Sequence, residues 1–181
     1  MAANGESTLH LKTKRLDLIP CSLEVARAVV TDRPKAETIL AVRMPDDWLA
    51  QGLREFLPFY AQQLEKDPSL LGWGVWLMIH AAERVVVGDA GFKEKPDHEG
   101  TVEIGYSVIP AYRNQGYAYE AAQALANWAF AQQGVKRIIA ECSTDNAPSI
   151  RVLEKLGMKR LGTEGSVLKW ELKGTYEPLE T

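Results

Sequence analysis

The sequence predicts an α/β fold: a mixed sheet of six to seven strands with helices on both faces. Two observations predict it. The coarse order is strand, helices, three strands, helix, strand, helix, two strands. Within that order, a meander of three strands feeds a strand–helix–strand unit, which calls for a mixed sheet covered on both sides.

The elements follow in chain order. "KRLDLIP" alternates apolar and polar residues as a strand does, and Pro20 stops it. Residues 22–66 read as helical pieces broken near Pro34, Pro45 and Pro68. "WGVWLMIH" and "RVVVGDAGFKE" read as two strands joined by the short "AAE" turn, and "KPDHEG" is a second turn. "TVEIGYSVI", the fourth strand, places Val102, Ile104, Tyr106 and Val108 on one face and Glu103, Gly105 and Ser107 on the other, before Pro110 ends it. The helix after Gly116 gathers Ala121, Leu125, Trp128 and Ala129 on one stripe. "VKRIIAECS" is the fifth strand. "NAPSIRVLEKLGM" is a helix with Asn146 near its cap, Pro148 in its first turn and Gly157 just past its end. "KRLGT" and "VLKWELK" are the late strands.

With 181 residues the chain has the length of one domain with a sizeable core, and 46% hydrophobic with 25% charged residues is ordinary globular composition. A formal charge of -3 gives no broad attraction to nucleic acid or anionic lipid. Cys21 and Cys142 do not make a disulfide framework and agree with a reducing compartment. The longest nearly apolar run, "LLGWGVWLMIHAA", is too short to span a bilayer, and "MAANGEST" lacks the pattern of a signal peptide. The expectation is a cytoplasmic protein, monomer or homodimer, with no membrane or nucleic-acid partner.

One stretch raises a chemical question. The helix in "RNQGYAYEAA" opens without a Ser, Thr or Asp cap, so its first amides lack partners. Those amides, at the positive end of the helix dipole, form an anion site. Gly116 has no Cβ and allows close approach, Ala118 keeps the next turn slim, and Arg113 can add a charge-assisted bond. Arg-x-x-Gly-x-Ala is thus what a pyrophosphate cradle needs. Taken alone it also fits a glycine easing the turn into a helix. A Walker loop is absent, and Gly88 and Gly91 in "VVVGDAGF" precede more strand rather than the helix of a dinucleotide fingerprint, which suits strand packing. Cys142 reads as a packed strand cysteine, the three histidines show no metal-ligand spacing, and Trp48, Tyr60, Trp73 and Trp76 read as core.

Read together, "TKRLDLIP", "EIGYSVIPAYRNQGYAYEA" and "AECSTDNAPSIRVLEKLGM" resemble the GCN5-related N-acetyltransferase (GNAT) superfamily, and most of all its RimJ/RimL-type branch, whose founding members acetylate the N-terminal amine of ribosomal proteins. The resemblance runs from about residue 13 to 172 and is vaguest over 22–66. The family's motif of Arg or Gln, two residues, Gly, one residue, Gly or Ala falls on Arg113, Gly116 and Ala118. Many members have Gly where Asn114 stands.

The resemblance implies a single GNAT domain whose fourth and fifth strands run parallel and splay apart. Acetyl-CoA would enter the gap and pair with the backbone at Tyr106, Ser107, Val108 and Ile109. Its pyrophosphate would meet Arg113, Asn114, Gln115, Gly116, Tyr117 and Ala118. Glu103 matches a glutamate thought to act as base, and a partly dry cleft would raise its pKa; it also fits a solvated strand residue. Asn146 matches an asparagine near the pantetheine arm and also suits an N-cap. Ser149 matches a serine that hydrogen-bonds the CoA sulfur, and also fits a polar first-turn residue. The implied reaction is direct attack of a neutral amine on the thioester, with strand amides polarising the carbonyl and no metal. At pH 7 about 14% of an α-amine but only about 0.04% of a lysine amine is neutral. An α-amino acceptor therefore suits a carboxylate base. Small amines (polyamines, aminoglycosides, amino acids) remain alternatives, as does a non-catalytic acyl-CoA sensor.

Overall fold

The computed structural model describes residues 9–174. The segment "MAANGEST" considered above for a signal peptide lies outside the described residues. One eight-stranded sheet organises the molecule: β1 (Leu11–Lys12), β2 (Leu16–Pro20), β3 (Val75–His80), β4 (Val85–Phe92), β5 (Thr101–Val108), β6 (Arg137–Ser143), β7 (Lys159–Glu164) and β8 (Val167–Lys173). Their spatial order is β1-β2-β3-β4-β5-β6-β8-β7. The expected six to seven strands become eight because β1 is a two-residue strand, visible only through its pairing with Leu18 and Asp17. The fourth and fifth strands of the sequence reading are therefore β5 and β6.

Helices cover both faces. Between β2 and β3 run α1 (Leu23–Thr31), α2 (Arg33–Leu40) and α3 (Gln51–Lys66). Pro34 sits in the first turn of α2, where no amide hydrogen is needed, with Asp32 capping that turn. These helices bury Val25, Ala28, Leu57 and Tyr60 against Leu77, Ile79 and Val86 of the sheet. On the opposite face, α4 (Tyr117–Phe130) and α5 (Ala147–Lys155) pack over Leu18, Met78, Val87, Ile104 and Ile138. The expected stripe of α4 is buried at Ala121, Leu125 and Ala129, and Trp128 packs at its margin. Leu125 is fully buried, and Leu125→Ala would cost about 2–5 kcal/mol. That anchoring fixes where the amino end of α4 points.

All strand pairs are antiparallel except β5 with β6, which pair in parallel. Their register runs only through Thr101↔Arg137, Val102↔Ile138 and Glu103↔Ile139. Beyond that point β5 continues beside β4, and β6 continues beside β8. The two strands therefore part in the middle of the sheet. Gly88 and Gly91 serve strand packing as expected: a Cβ at Gly88 would collide with the Ser107 carbonyl of β5, and one at Gly91 with the Gly74 carbonyl just before β3. Trp48, Tyr60 and Trp76 are core residues, and Cys142 is a buried strand cysteine.

Candidate active site

A strand inside a sheet normally has a neighbour on each edge. Past Glu103, β5 has none on the β6 side, so that edge can offer backbone groups to a ligand, as an exposed sheet edge does to a peptide. The gap opens into a cleft of about 800 Å³. Tyr106, Ser107 and Val108 line it from β5; Arg113, Asn114, Gly116, Tyr117 and Ala118 line it from the turn into α4; Asn146 and Ser149 line it from α5.

Two residues of the expected cofactor-binding set lie elsewhere. Ile109 is buried in the α1–α3 cluster, and its amide donates to Val87 O at 2.9 Å, so neither its side chain nor its N–H is free for a ligand. Gln115 does not line the cleft: its side-chain amide donates to Ala111 O at 3.1 Å and its carbonyl accepts from Arg15.

The turn into α4 has the shape of an anion nest. Asn114 has φ 58° and Gly116 φ 85°, two left-handed residues that curl the chain. Asparagine is among the few side chains that tolerate this conformation, so Asn114 can stand at this left-handed position. Gly116 is the N-cap of α4 and no side chain caps the helix, so its first amides are unspent. Arg113 donates from Nε to Val108 O at 2.8 Å, folding its guanidinium back along the end of β5.

Helix α5 forms the other wall. Asn146 is its N-cap and accepts the Ser149 amide at 3.2 Å. The Ser149 hydroxyl stands 3.0 Å from the Tyr106 hydroxyl. Burial pushes the Tyr106 phenol upward and the Ser149 bond partly offsets this, leaving its pKa above the ordinary value. Tyr106 therefore stays protonated and can donate to Ser149.

Glu103 points to the opposite face of β5 from Ile104 and Tyr106, as the alternation predicts, and does not line the cleft. Its carboxylate is paired with the ammonium of Lys93, which is itself 62% exposed. Glu103 is thus held by a surface cation at the point where β5 and β6 part.

Several site features escaped the sequence reading. Arg151, Val152 and Lys155 join Pro148 on the cleft wall, and Lys155 Nζ lies 4.2 Å above the Tyr119 ring. Their spacing of three and four residues along α5 is a signal the sequence carries. Asp89, opposite Ser107 in the β4–β5 ladder and Leu77 in the β3–β4 ladder, is a partly buried carboxylate. Burial lifts its pKa from 3.8 to about 6, and the Trp48 indole lowers it slightly. The Trp48 Nε1 is buried and makes no hydrogen bond of good geometry, so its influence on Asp89 is weak. Among the described residues, no group of three or more His, Cys, Asp or Glu side chains is placed to hold a metal, and no helix is long and apolar enough to cross a membrane.

A family model described as "Acetyltransferase (GNAT) domain" matches residues 15–159. The chain belongs to the GNAT acetyltransferase family. It is an acetyl-transferring enzyme, an N-acetyltransferase, and acetyltransferases of this family use acetyl-CoA. It is 33% identical over 147 residues to a protein named "Uncharacterized N-acetyltransferase YjdG" from Bacillus subtilis, covering 81% of this chain and 88% of that protein. Two solved structures share the fold. The ribosomal-protein-S5-alanine acetyltransferase from Vibrio fischeri superposes with TM-score 0.67 at 16% identity, over 94% of this chain and 100% of that one. The microcin C7 self-immunity acetyltransferase MccE, solved with acetyl-CoA and AMP, superposes with TM-score 0.62 at 14% identity, over 89% and 93%.

Proposed function

We propose that this GNAT enzyme moves the acetyl group of acetyl-CoA to the α-amino group of a protein N-terminus, in the manner of the RimJ/RimL branch. The observation that supports the acetyl-CoA part of this reading is the continuity of the cleft. It runs from the nest at 113–118, along the unpaired edge of β5, to the Tyr106–Ser149 pair, a few residues past the point where β5 and β6 part. Pyrophosphate charge suits the nest and Arg113, with Arg151 and Lys155 adding cations on the α5 wall. A pantetheine arm suits the β5 edge, whose backbone has no strand to pair with.

In the proposed reaction the amine nitrogen forms a bond to the thioester carbon and the carbon–sulfur bond breaks. The amine proton goes to the Glu103 carboxylate, directly or through one water, while Lys93 orients that carboxylate. Backbone amides of β5 stabilise the carbonyl oxygen as it gains charge. The departing thiolate receives a hydrogen bond from Ser149, and the Ser149 hydroxyl can in turn accept from the protonated Tyr106 phenol 3.0 Å away. An α-amine supports this scheme better than a lysine, because a far larger share of it is neutral at pH 7.

The test is thiol release from acetyl-CoA in the presence of Ser- and Ala-initiated peptides, spermidine or kanamycin, with products identified by mass spectrometry. Acetylation of the peptide α-amine is expected. Acetylation of only the small amines contradicts the peptide acceptor. Acetyl-CoA binding with no thiol release for any acceptor points to a sensor.

A further inference from the structure

We infer that Arg15 is a positioning residue for the pyrophosphate-binding turn, holding the Gly116 amide in its ligand-binding direction. The inference rests on the acetyl-CoA reading of the cleft. Arg15 lies between β1 and β2, about a hundred residues before the turn it touches. Its Nη1 donates to the Gln115 carbonyl at 2.8 Å. That carbonyl and the Gly116 N–H belong to one planar trans peptide and point in opposite directions. Fixing the Gln115 oxygen therefore fixes the direction of the Gly116 N–H.

The turn needs such a tie. Asn114 and Gly116 are both left-handed, and α4 has no side-chain cap to hold its entry. A peptide between them that flipped would present a carbonyl where the nest presents a donor. Arg15 opposes such a flip and is itself held by several contacts. Its Nε and Nη2 both contact Glu120 Oε2 at 2.7 Å, and its backbone amide donates to Glu120 Oε1 at 2.8 Å. The Thr13 hydroxyl donates to the same Oε1 at 2.6 Å. The guanidinium also lies 4.2 Å over the Tyr117 ring, at the first residue of α4. Glu120 sits in the first turn of α4, where a carboxylate also meets the positive end of the dipole. Burial pushes its carboxyl upward, but the bonds from Thr13 and Arg15 prevail and hold its pKa below the ordinary value. Glu120 thus remains charged, and the strut from β1–β2 through Arg15 to the turn is set before a ligand arrives. A turn already ordered spends no binding energy on ordering.

The test compares two ligands, acetyl-CoA and S-acetylpantetheine, which lacks the pyrophosphate. Dissociation constants are measured by calorimetry, by direct titration or competition, for the wild type, Arg15→Lys and Glu120→Gln, alongside melting temperatures. Both variants are expected to bind acetyl-CoA about tenfold more weakly, a difference of about 1.4 kcal/mol, with S-acetylpantetheine unchanged. Glu120→Gln keeps the shape of the side chain and loosens the hold on an unmutated Arg15, so it reports on the strut if Arg15→Lys folds poorly. Unchanged acetyl-CoA affinity in either folded variant overturns the inference, as does an equal loss for both ligands. Tighter binding in Glu120→Gln also overturns it, because a freed arginine would then be acting on the phosphates directly. A wild type that binds no acetyl-CoA sinks the reading of the cleft instead.

Discussion

The Tyr106 hydroxyl lies 3.0 Å from Ser149 Oγ, joining the middle of β5 to the first turn of α5 across the cleft. Because Tyr106 is partly buried and its phenol is pushed upward, it remains a donor through the working pH range. Ser149 can then turn its own proton toward sulfur. Ser149→Ala is expected to lower kcat by about 10- to 10²-fold, the worth of a hydrogen bond to a charged group. Acetyl-CoA affinity should fall much less, because the bond strengthens only as charge develops. Tyr106→Phe should lower kcat by only about threefold to tenfold, since it removes a neutral hydrogen bond. Steady-state kinetics with parallel calorimetry check both; a loss of affinity alone would make Ser149 a binding contact.

Gly116 bears on cofactor binding through both its conformation and its lack of a side chain. Its φ of 85° disfavours any side chain, and a Cβ there would sit 3.3 Å from Arg15 Nη2. Gly116→Val is expected to cost about 1–2 kcal/mol of stability, or somewhat more for a branched residue. It should also weaken acetyl-CoA binding strongly in protein that still folds. Calorimetry on the folded variant decides this, and wild-type affinity would remove the pyrophosphate from the turn.

Asp89 gives a prediction in pH. Its folded pKa of about 6 lies above the ordinary 3.8, so between those values the folded state binds more protons than the unfolded. Stability from this group therefore falls as pH rises from about 4 to 6 and stays reduced above. Asp89→Asn removes the buried charge and is expected to stabilise the protein at pH 7.5, by at most about 3 kcal/mol. The gain should disappear near pH 3.5. Urea denaturation of both proteins across pH checks it; a gain independent of pH would assign the effect to packing.

Much of this site is local in sequence, and that part is legible. The uncapped helix, Gly116, Asn146 and Ser149 stand in short stretches whose spacing fixes their mutual placement. The alternation of β5 alone puts Glu103 on the face opposite Tyr106. What the sequence hides is long-range. Nothing in "TKRL" announces that Arg15 reaches the Gln115 carbonyl and the carboxylate of Glu120, because that contact exists only once β2 and α4 share a sheet face. Strand β1 is invisible for the same reason: two residues carry no period, and only the register with Leu18 defines it. Asp89 is hidden by its setting, a lone carboxylate in a strand whose other residues read as core. Ile109 misleads in the opposite way: it continues the β5 pattern in sequence, but its amide has already turned back to Val87.

The proposed division of labour across β5 meets its most direct test at Glu103, with acetyl-CoA in the cleft on one face and the acceptor amine on the other. Glu103→Gln keeps the shape of the side chain and its place beside Lys93 but cannot take a proton. Turnover with a Ser-initiated peptide and the acetyl-CoA dissociation constant are measured together for the wild type and the variant. With Glu103 as the base, kcat is expected to fall by about 10²- to 10⁴-fold with acetyl-CoA affinity unchanged. A variant with wild-type kcat and the wild-type pH profile would contradict it.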